Sequence, residues 1–153
     1  MAKKILVVCM GNICRSPTGE AILRAKAERM GLDIEVDSAG TIGYHQGNPP
    51  DPRSKAVGER RGYSFKGIVS RQIVDEDFAY FDLILAADKD NLADLHAQCP
   101  VEYRNKLQLF LSYGETKHEE IPDPYHGGDN GFELVVDLIE QASEGLLKTL
   151  SNQ

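Results

Sequence analysis

The run of residues from Lys3 to Cys9 constrains the fold more than any other feature of the sequence. It reads Lys-Lys-Ile-Leu-Val-Val-Cys, so its apolar side chains follow one another without the alternation of a half-exposed strand. An uninterrupted apolar run of this kind is typical of a strand that is buried on both faces. It ends at Met10-Gly11-Asn12, and a helix is predicted immediately afterwards. We therefore expect a strand, a loop and a helix at the start of the chain.

The rest of the chain alternates predicted strands with predicted helices. The first helix is expected to have Ser16 as its N-cap and Pro17 in its first turn, and to end at Gly31. Further strands are predicted at residues 34–38, 82–86 and 107–110, and further helices at 51–62, 88–97 and 131–150. This order predicts an α/β fold, a single open doubly wound domain over residues 1–153, in which helices cover both faces of a four-stranded parallel sheet.

The loop after the first strand is the candidate functional site. Ligands of open parallel sheets bind beyond the carboxyl ends of the strands, where the strand order reverses. Gly11 and Asn12 tolerate the left-handed backbone that lets a loop curl its N–H groups inward, and a helix N-terminus adds partial positive charge. The Arg15 guanidinium can bind two oxygen atoms of one anion. We predict that the loop binds phosphate through Met10, Gly11, Asn12, Ile13, Cys14, Arg15 and Ser16.

Cys9 stands at the start of this loop, where the same groups would act on its thiol. The helix N-terminus, the Arg15 guanidinium, the loop N–H groups and the Ser16 hydroxyl all favour the thiolate form, so Cys9 is a candidate nucleophile at neutral pH. The loop lacks the Gly-Lys-Ser/Thr of a nucleotide-binding loop. Each of these residues alone fits an ordinary strand end and helix start, so it is their spacing that carries the prediction.

Charge and cysteine content narrow the partners and the location. The formal net charge of −7 disfavours nucleic acid and anionic membranes as general partners. Residues 1–74 carry 12 basic and 7 acidic side chains, a net +5, whereas residues 75–153 carry 5 and 17, a net −12. Three cysteines supply neither a disulfide framework nor a zinc spacing, and no apolar run reaches membrane length. We expect a cytoplasmic chain with reduced thiols that needs no metal and no cofactor.

The loop resembles the signature of the low-molecular-weight protein-tyrosine phosphatase family, which is Cys, five residues, Arg and Ser near the N-terminus. The resemblance covers essentially the whole chain and is that of a bacterial-type member. It continues through Asp37-Ser-Ala-Gly-Thr41, Tyr44-His-Gln-Gly-Asn-Pro49, Asp51-Pro-Arg53, Ser70-Arg-Gln-Ile73, Phe81-Asp-Leu-Ile-Leu with Asp88, and Ile121-Pro-Asp-Pro-Tyr125. It implies a metal-independent enzyme that hydrolyses phosphotyrosine and small aryl phosphates through a phosphocysteine intermediate.

The resemblance also assigns catalytic roles to three residues. Cys9 is implied to be the nucleophile and Arg15 the side chain that binds the phosphate oxygens. Asp123, between Pro122 and Pro124, is implied to protonate the leaving phenol and then to activate water as a base. Without the family pattern, an Asp-Pro pair would be read as a turn initiator.

Further residues acquire expected roles in the same way. Aromatic side chains at Tyr44 and Tyr125 are implied to flank the mouth of the site, where Ile13 and His126 complete the surface for the substrate ring. Behind the loop, Ser38 and Asn12 resemble a pair that is hydrogen-bonded to each other and, with Ser16, keeps the loop curled. Cys14 is the implied partner of Cys9 in a reversible disulfide formed under peroxide. The family's usual His is Ile68 here, and Cys99 has no identified role.

Three other functions remain open at this point. Protein-arginine phosphatases resemble this loop but carry Thr where the chain has Ile13, and an aliphatic side chain suits an aromatic ring better than a guanidinium. Arsenate reductases on the same scaffold need two further cysteines close together, and Cys99 is alone. A phosphate-binding regulator without catalytic activity would need neither Cys9 nor Asp123. We therefore expect phosphotyrosine proteins as partners of a monomeric enzyme.

Overall fold

The structure, a computed structural model, describes residues 2–124 and 129–152. Its strands are β1 (Lys3–Cys9), β2 (Ile34–Gly40), β3 (Leu83–Ala86) and β4 (Leu107–Leu109). Its helices are α1 (Arg15–Met30), α2 (Pro52–Arg60), α3 (Asp75–Tyr80), α4 (Lys89–Gln98) and α5 (Asp129–Ser151), with 3₁₀ turns at Val101–Lys106 and Phe110–Tyr113. The predicted alternation of strands and helices is confirmed.

The four strands form one parallel sheet in the order β2-β1-β3-β4. The chain leaves β1 for β2 on one side of it and then crosses back to β3 on the other side, so the strand order reverses at β1. Cys9 pairs with Gly40 at the carboxyl end of these two strands. The loop after β1 therefore begins at the topological switch point, as predicted.

Both faces of β1 are covered, which explains its continuous apolar sequence. Ile5 and Val7 belong to the core on one face, together with apolar side chains of α1 and α5. Leu6 and Val8 belong to the core on the opposite face, where Phe78 of α3 is buried with them. The alternation of side chains along a strand produces this division, and the predicted two-sided coverage of the sheet is confirmed.

Local signals located most helix ends correctly. The side chain of Asp51 accepts a hydrogen bond from the N–H of Arg53, and that of Asp88 accepts one from Asn91, so both residues cap the helices predicted there. Gly31 ends α1 with a left-handed backbone (φ 69°), as its position predicted.

The predicted start of α1 at Ser16 is wrong. The helix begins at Arg15, with Cys14 in the N-cap position and no side-chain cap bond. The Ser16 hydroxyl is instead turned toward the thiol of Cys9, so it is used by the loop rather than by the helix. Short helix α3 was not predicted; the carboxylate of Asp77 accepts the N–H of Val74, just before its first turn.

Candidate active site

The loop between β1 and α1, residues 9–16, curls back on itself. Asn12 adopts a left-handed backbone with φ 56°, which confirms the conformation expected of it. Gly11 does not have a positive φ, and its lack of a side chain serves another purpose. A Cβ at this position would lie 3.0 Å from Cδ2 of His45, so glycine lets that imidazole lie directly against the loop.

The carbonyl groups of the loop bond to the protein around it. Because a trans peptide N–H points away from the preceding C=O, outward carbonyls turn the next N–H groups toward the centre of the loop. This is the arrangement of an anion-binding nest. The bonds are from Ile42 N to Met10 O (3.1 Å), from Ser70 Oγ to Gly11 O (3.0 Å) and from Asp51 N to Ile13 O (2.8 Å).

Cys9 lies at the base of the loop with donors directed at its sulfur. The thiol is buried, and it is 3.0 Å from the Ser16 hydroxyl and 3.4 Å from the Ser16 N–H, which donates to it. Asn12 Nδ2 donates to the same hydroxyl oxygen at 2.7 Å. The hydroxyl also lies 3.4 Å from the carbonyl oxygen of Ala39, to which it can donate. Its contact with the sulfur is shorter, so the same hydroxyl can donate to a thiolate at Cys9.

The guanidinium of Arg15 is held by residues that lie outside its own loop. Its buried guanidinium donates through Nη1 to Oδ2 of Asp88 at 2.6 Å and to the carbonyl of Ile121 at 3.0 Å. Burial by itself lowers the pKa of Arg15, but the nearby charges of Cys9, Asp88 and Asp123 outweigh it and raise the pKa. The guanidinium is therefore a permanent, oriented positive charge in the site.

Asp123 approaches the loop from the far end of the chain. Its Oδ2 lies 3.9 Å from Nη2 of Arg15, and its side chain is 44% exposed, in contrast to the buried thiol. It lines the same cavity, of about 220 Å³, as the loop does. The cavity is lined by Cys9, Met10, Gly11, Ile13, Cys14, Arg15, Tyr44, His45 and Asp123.

The residues behind the loop are all buried, but their expected pairing is wrong. Ser38 was expected to bond to Asn12, whereas its hydroxyl donates to the carboxylate of Glu20 at 2.6 Å. Oδ1 of Asn12 accepts the backbone N–H of Arg71 at 3.0 Å. Burial raises the pKa of Glu20, against its hydrogen bonds with Ser38 and Arg24. The buried carboxyl group of Glu20, rather than Asn12, is therefore the acceptor for the Ser38 hydroxyl.

Of the two aromatic residues predicted at the mouth of the site, the structure describes only Tyr44. Tyr44 lines the cavity with 83% of its side chain exposed, and its ring meets the His45 ring edge-on at a centroid distance of 4.8 Å. Tyr125 and His126 lie outside the described residues. Sequence reasoning missed His45 as a lining residue and Asp88 as the partner of Arg15, although both lie in segments that resembled the family.

The cysteines have distinct environments. Cys9, Cys14 and Cys99 are all free and buried. Burial raises the pKa of Cys14 to about 12 in spite of a hydrogen bond to Ser54 that lowers it. Cys14 lines the cavity with Cys9, whereas the thiol of Cys99 donates to the carbonyl of Pro100 and is not among the lining residues. Ile68, in the place of the family's His, is buried in the core.

Residues 2–124 and 129–152 show no sign of a metal centre or of a membrane-spanning helix. They contain no group of three or more His, Cys, Asp or Glu side chains placed to hold a metal ion. No helix in that part of the chain is long and apolar enough to cross a bilayer.

Comparison with known proteins identifies the family. The family model described as low molecular weight phosphotyrosine protein phosphatase matches residues 4–153. The chain belongs to this family. Among curated relatives, a low molecular weight protein-tyrosine-phosphatase of Bacillus subtilis is 39% identical over 152 residues, covering 97% of this chain and 96% of the relative. The human low molecular weight phosphotyrosine protein phosphatase is 44% identical over 137 residues, covering 87% and 86%.

Solved structures of low molecular weight phosphatases agree with the fold. A crystal structure of a protein tyrosine phosphatase from Entamoeba histolytica, with Hepes in its active site, superposes with a TM-score of 0.95 at 41% identity. The match covers 99% of this chain and 98% of that one. The predicted fold and the predicted enzyme class, a cysteine-dependent phosphoric monoester hydrolase of the tyrosine phosphatase type, are confirmed.

Proposed function

We propose that this phosphatase removes phosphate from phosphotyrosine in proteins, and from small aryl phosphates, with Cys9 as nucleophile, Arg15 as phosphate-binding residue and Asp123 as acid and base. One observation carries the proposal. The buried thiol of Cys9, bonded to Ser16, shares a cavity with the oriented guanidinium of Arg15 and with an exposed carboxylate 3.9 Å from that guanidinium. A nucleophile, a charge clamp and a proton donor are the groups that this reaction needs.

In the first step, the Cys9 thiolate attacks phosphorus and the bond to the phenol oxygen breaks. Asp123 gives its proton to that oxygen, so the phenol leaves as a neutral molecule. The Ser16 hydroxyl, 3.0 Å from the sulfur, stabilises the thiolate before attack. The inward N–H groups of the loop and Arg15 bind the three equatorial oxygens of the transferring phosphoryl group.

In the second step, water hydrolyses the phosphocysteine. Asp123, now a carboxylate, accepts a proton from the attacking water, and the Cys9 thiolate leaves as inorganic phosphate forms. The exposed position of Asp123 suits both tasks, because its carboxyl group must exchange its proton and meet water in each cycle. Its Pro neighbours, Pro122 and Pro124, limit the backbone freedom of this segment.

The lining of the cavity favours an aryl phosphate. Ile13 and Tyr44 offer apolar and aromatic surface beside the loop, which suits an aromatic ring better than the guanidinium of phosphoarginine. Cys99 is not in the cavity, so it cannot relay a disulfide as an arsenate reductase requires. The presence of Cys9 and Asp123 together supports catalysis over phosphate binding alone.

For the remaining site residues we propose the roles that the sequence analysis predicted. Met10, Gly11, Asn12, Ile13, Cys14, Arg15 and Ser16 form the phosphate-binding loop, and Asn12, Ser16 and Ser38 support it from behind. Under peroxide, the Cys9 thiolate becomes a sulfenic acid, and the Cys14 thiol attacks its sulfur to form a disulfide with loss of water. Shared lining of one cavity supports that reaction.

We also propose a single-domain monomer over residues 1–153 that works in the cytoplasm without a metal, a cofactor, nucleic acid or a membrane. The net charge of −7 supports the last two points, since it repels phosphate backbones and anionic headgroups. Sedimentation at assay concentrations checks the oligomeric state.

The decisive experiment compares matched peptides that carry phosphotyrosine, phosphoserine or phosphoarginine, each hydrolysed in EDTA. We expect phosphotyrosine to give the highest kcat/KM. Cys9→Ser should lose at least about 10⁴-fold, as enzymes do when a catalytic nucleophile is removed. Preference for phosphoarginine would replace the substrate assignment, and full activity of Cys9→Ser would refute the mechanism.

A further inference from the structure

His45 lines the cavity but has no part in the reaction described above. Its ring lies against the loop at Gly11 and meets the exposed ring of Tyr44 edge-on, at an interplanar angle of 87°. The imidazole is partly buried. It therefore reaches from the phosphate-binding loop to the rim, where the residues next to a phosphotyrosine must lie.

The turn that carries His45 is fixed relative to the loop. Gln46 N donates to Gly43 O at 3.1 Å and Asn48 N to His45 O at 2.9 Å, which closes the turn. Gly47 N donates to the carbonyl of Ser70 at 2.9 Å. The hydroxyl of the same Ser70 donates to Gly11 O at 3.0 Å. One residue thus anchors both the turn and the loop, and the imidazole is held in place between them.

The charges of the lining side chains indicate which kind of group His45 could bind. Of the described residues that line the cavity, Arg15 and His45 are the two that can carry a positive charge. Arg15 is buried and already bonded to Asp88 and to the carbonyl of Ile121, with its Nη2 3.9 Å from Asp123. A second anionic group of a substrate, at the rim, would meet the imidazole instead.

We propose that His45, when protonated, pairs with a carboxylate adjacent to the phosphotyrosine, so that the enzyme prefers substrates with an acidic neighbour. This inference rests on the proposed function and specifies its substrate class. Histidine is the side-chain type that ordinarily changes charge between about pH 5 and 8, so comparing the two ends of that range tests whether a charged imidazole carries the preference. The other titratable groups facing the cavity are Cys9, Cys14, Arg15, Tyr44 and Asp123.

The test measures kcat/KM for pairs of phosphotyrosine peptides that differ in one residue, Glu or Gln, directly before or directly after the phosphotyrosine. The ratio of the two values cancels the titration of Cys9 and Asp123, since both peptides need the same chemical steps. At low salt and about pH 5.5, we expect the wild type to prefer the Glu peptide roughly two- to fivefold, as for a partly exposed ion pair. At about pH 8 the ratio should approach one.

Two variants of His45 and one control variant distinguish an effect of the imidazole charge from a general disturbance of the loop. His45→Gln should give a ratio near one at both pH values, and His45→Lys should keep the preference at both. Gln46→Ala, an exposed neighbour in the same turn, should behave as the wild type.

The possible results distinguish failure of this inference from failure of the proposed function. A wild-type ratio of one, a preference unchanged by pH, or a preference retained in His45→Gln would overturn the inference while leaving a working phosphatase. Equal losses on both peptides and on a small aryl phosphate would show that His45 acts on the phosphate, which also overturns it. Failure of the proposed function appears differently, as no cleavage of any phosphotyrosine peptide.

Discussion

The loop of residues 9–16 and the segment of residues 121–124 face each other across the cavity, yet they are built in opposite ways. In the loop, Cys9, Asn12 and Ser16 are buried and joined by short hydrogen bonds. In the other segment, Pro122 and Asp123 are exposed. The loop belongs to the basic part of the chain and Asp123 to the acidic part.

This difference follows from what each side must do. Binding a phosphoryl group and stabilising a thiolate need donors that are already oriented, because reorganising them would raise the barrier. In the proposed mechanism Asp123 must instead gain and lose a proton in each turnover, so it benefits from contact with water. The negative net charge of the chain does not oppose the reaction, since the loop, the helix start and Arg15 create a local positive site.

The largest difference that we expect is between the alkylation rates of Cys9 and Cys14, which lie in the same loop. With its pKa raised to about 12, on the order of one Cys14 thiol in 10⁵ is ionised at neutral pH. If Cys9 is the thiolate, iodoacetate should alkylate Cys9 about 10³-fold faster than Cys14, after allowing for the greater nucleophilicity of the more basic thiolate. Mass spectrometry of peptides measures both rates, and inorganic phosphate should protect Cys9. Equal labelling would contradict this assignment.

On the opposite side of the cavity, Asp123→Asn should lower kcat/KM for phenyl phosphate on the order of 10²- to 10³-fold. The loss should be much smaller for an aryl phosphate with an acidic phenol, because that leaving group needs no proton. A series of leaving groups therefore gives a steeper dependence in the variant. A uniform loss across the series would mean that Asp123 acts on binding rather than as the acid.

Replacing Arg15 with Lys keeps the charge and removes the planar pair of donors. We expect kcat/KM for phosphotyrosine peptides to fall about 10²-fold, as when a transition-state hydrogen bond is lost, together with weaker binding of inorganic phosphate. Arg60→Lys, at a site that is 63% exposed on α2, serves as the matched control. If Arg15→Lys were fully active, charge alone would suffice and the oriented guanidinium would not matter.

The smallest effect concerns stability and tests how rigidly the loop is packed. A Cβ on Gly40 would lie 2.7 Å from Met10 O and 3.0 Å from Ile42 O, both backbone atoms. Gly40→Ala should destabilise the protein by about 1–3 kcal/mol in urea unfolding. Gly43→Ala is the control, because its close neighbour is the end of the flexible Gln72 side chain, at 2.8 Å. Equal costs would indicate that the loop yields as easily as a side chain.

Features that depend on neighbours in sequence were predictable. The continuous apolar run of β1, the helix starts at Asp51 and Asp88 and the stop at Gly31 are local signals, and the structure agrees with them. The long apolar stripe of the last helix also identified α5. Each of these depends on spacing or on a backbone preference that needs no knowledge of the rest of the molecule.

Features that depend on distant residues were not predictable from local pattern. Asp88 stands at the predicted start of a helix, but its bond to Arg15 joins residues 73 apart in sequence. His45 reaches the cavity because a separate segment, at Ser70, anchors its turn. Ser16 has the composition of an N-cap, yet Cys9 and Asn12 use its hydroxyl, so a tertiary contact overrides the local preference.

The long sequence separation of the groups around Arg15 has a consequence for a chain during its synthesis. Cys9 and Arg15 are made first, but Asp88 and Ile121, which orient the Arg15 guanidinium, lie 73 and 106 residues after Arg15. Asp123 comes later still. A growing chain on the ribosome therefore holds Cys9 and Arg15 without their anchors until residues 88–123 have been made and folded, and we expect phosphatase activity only after that point.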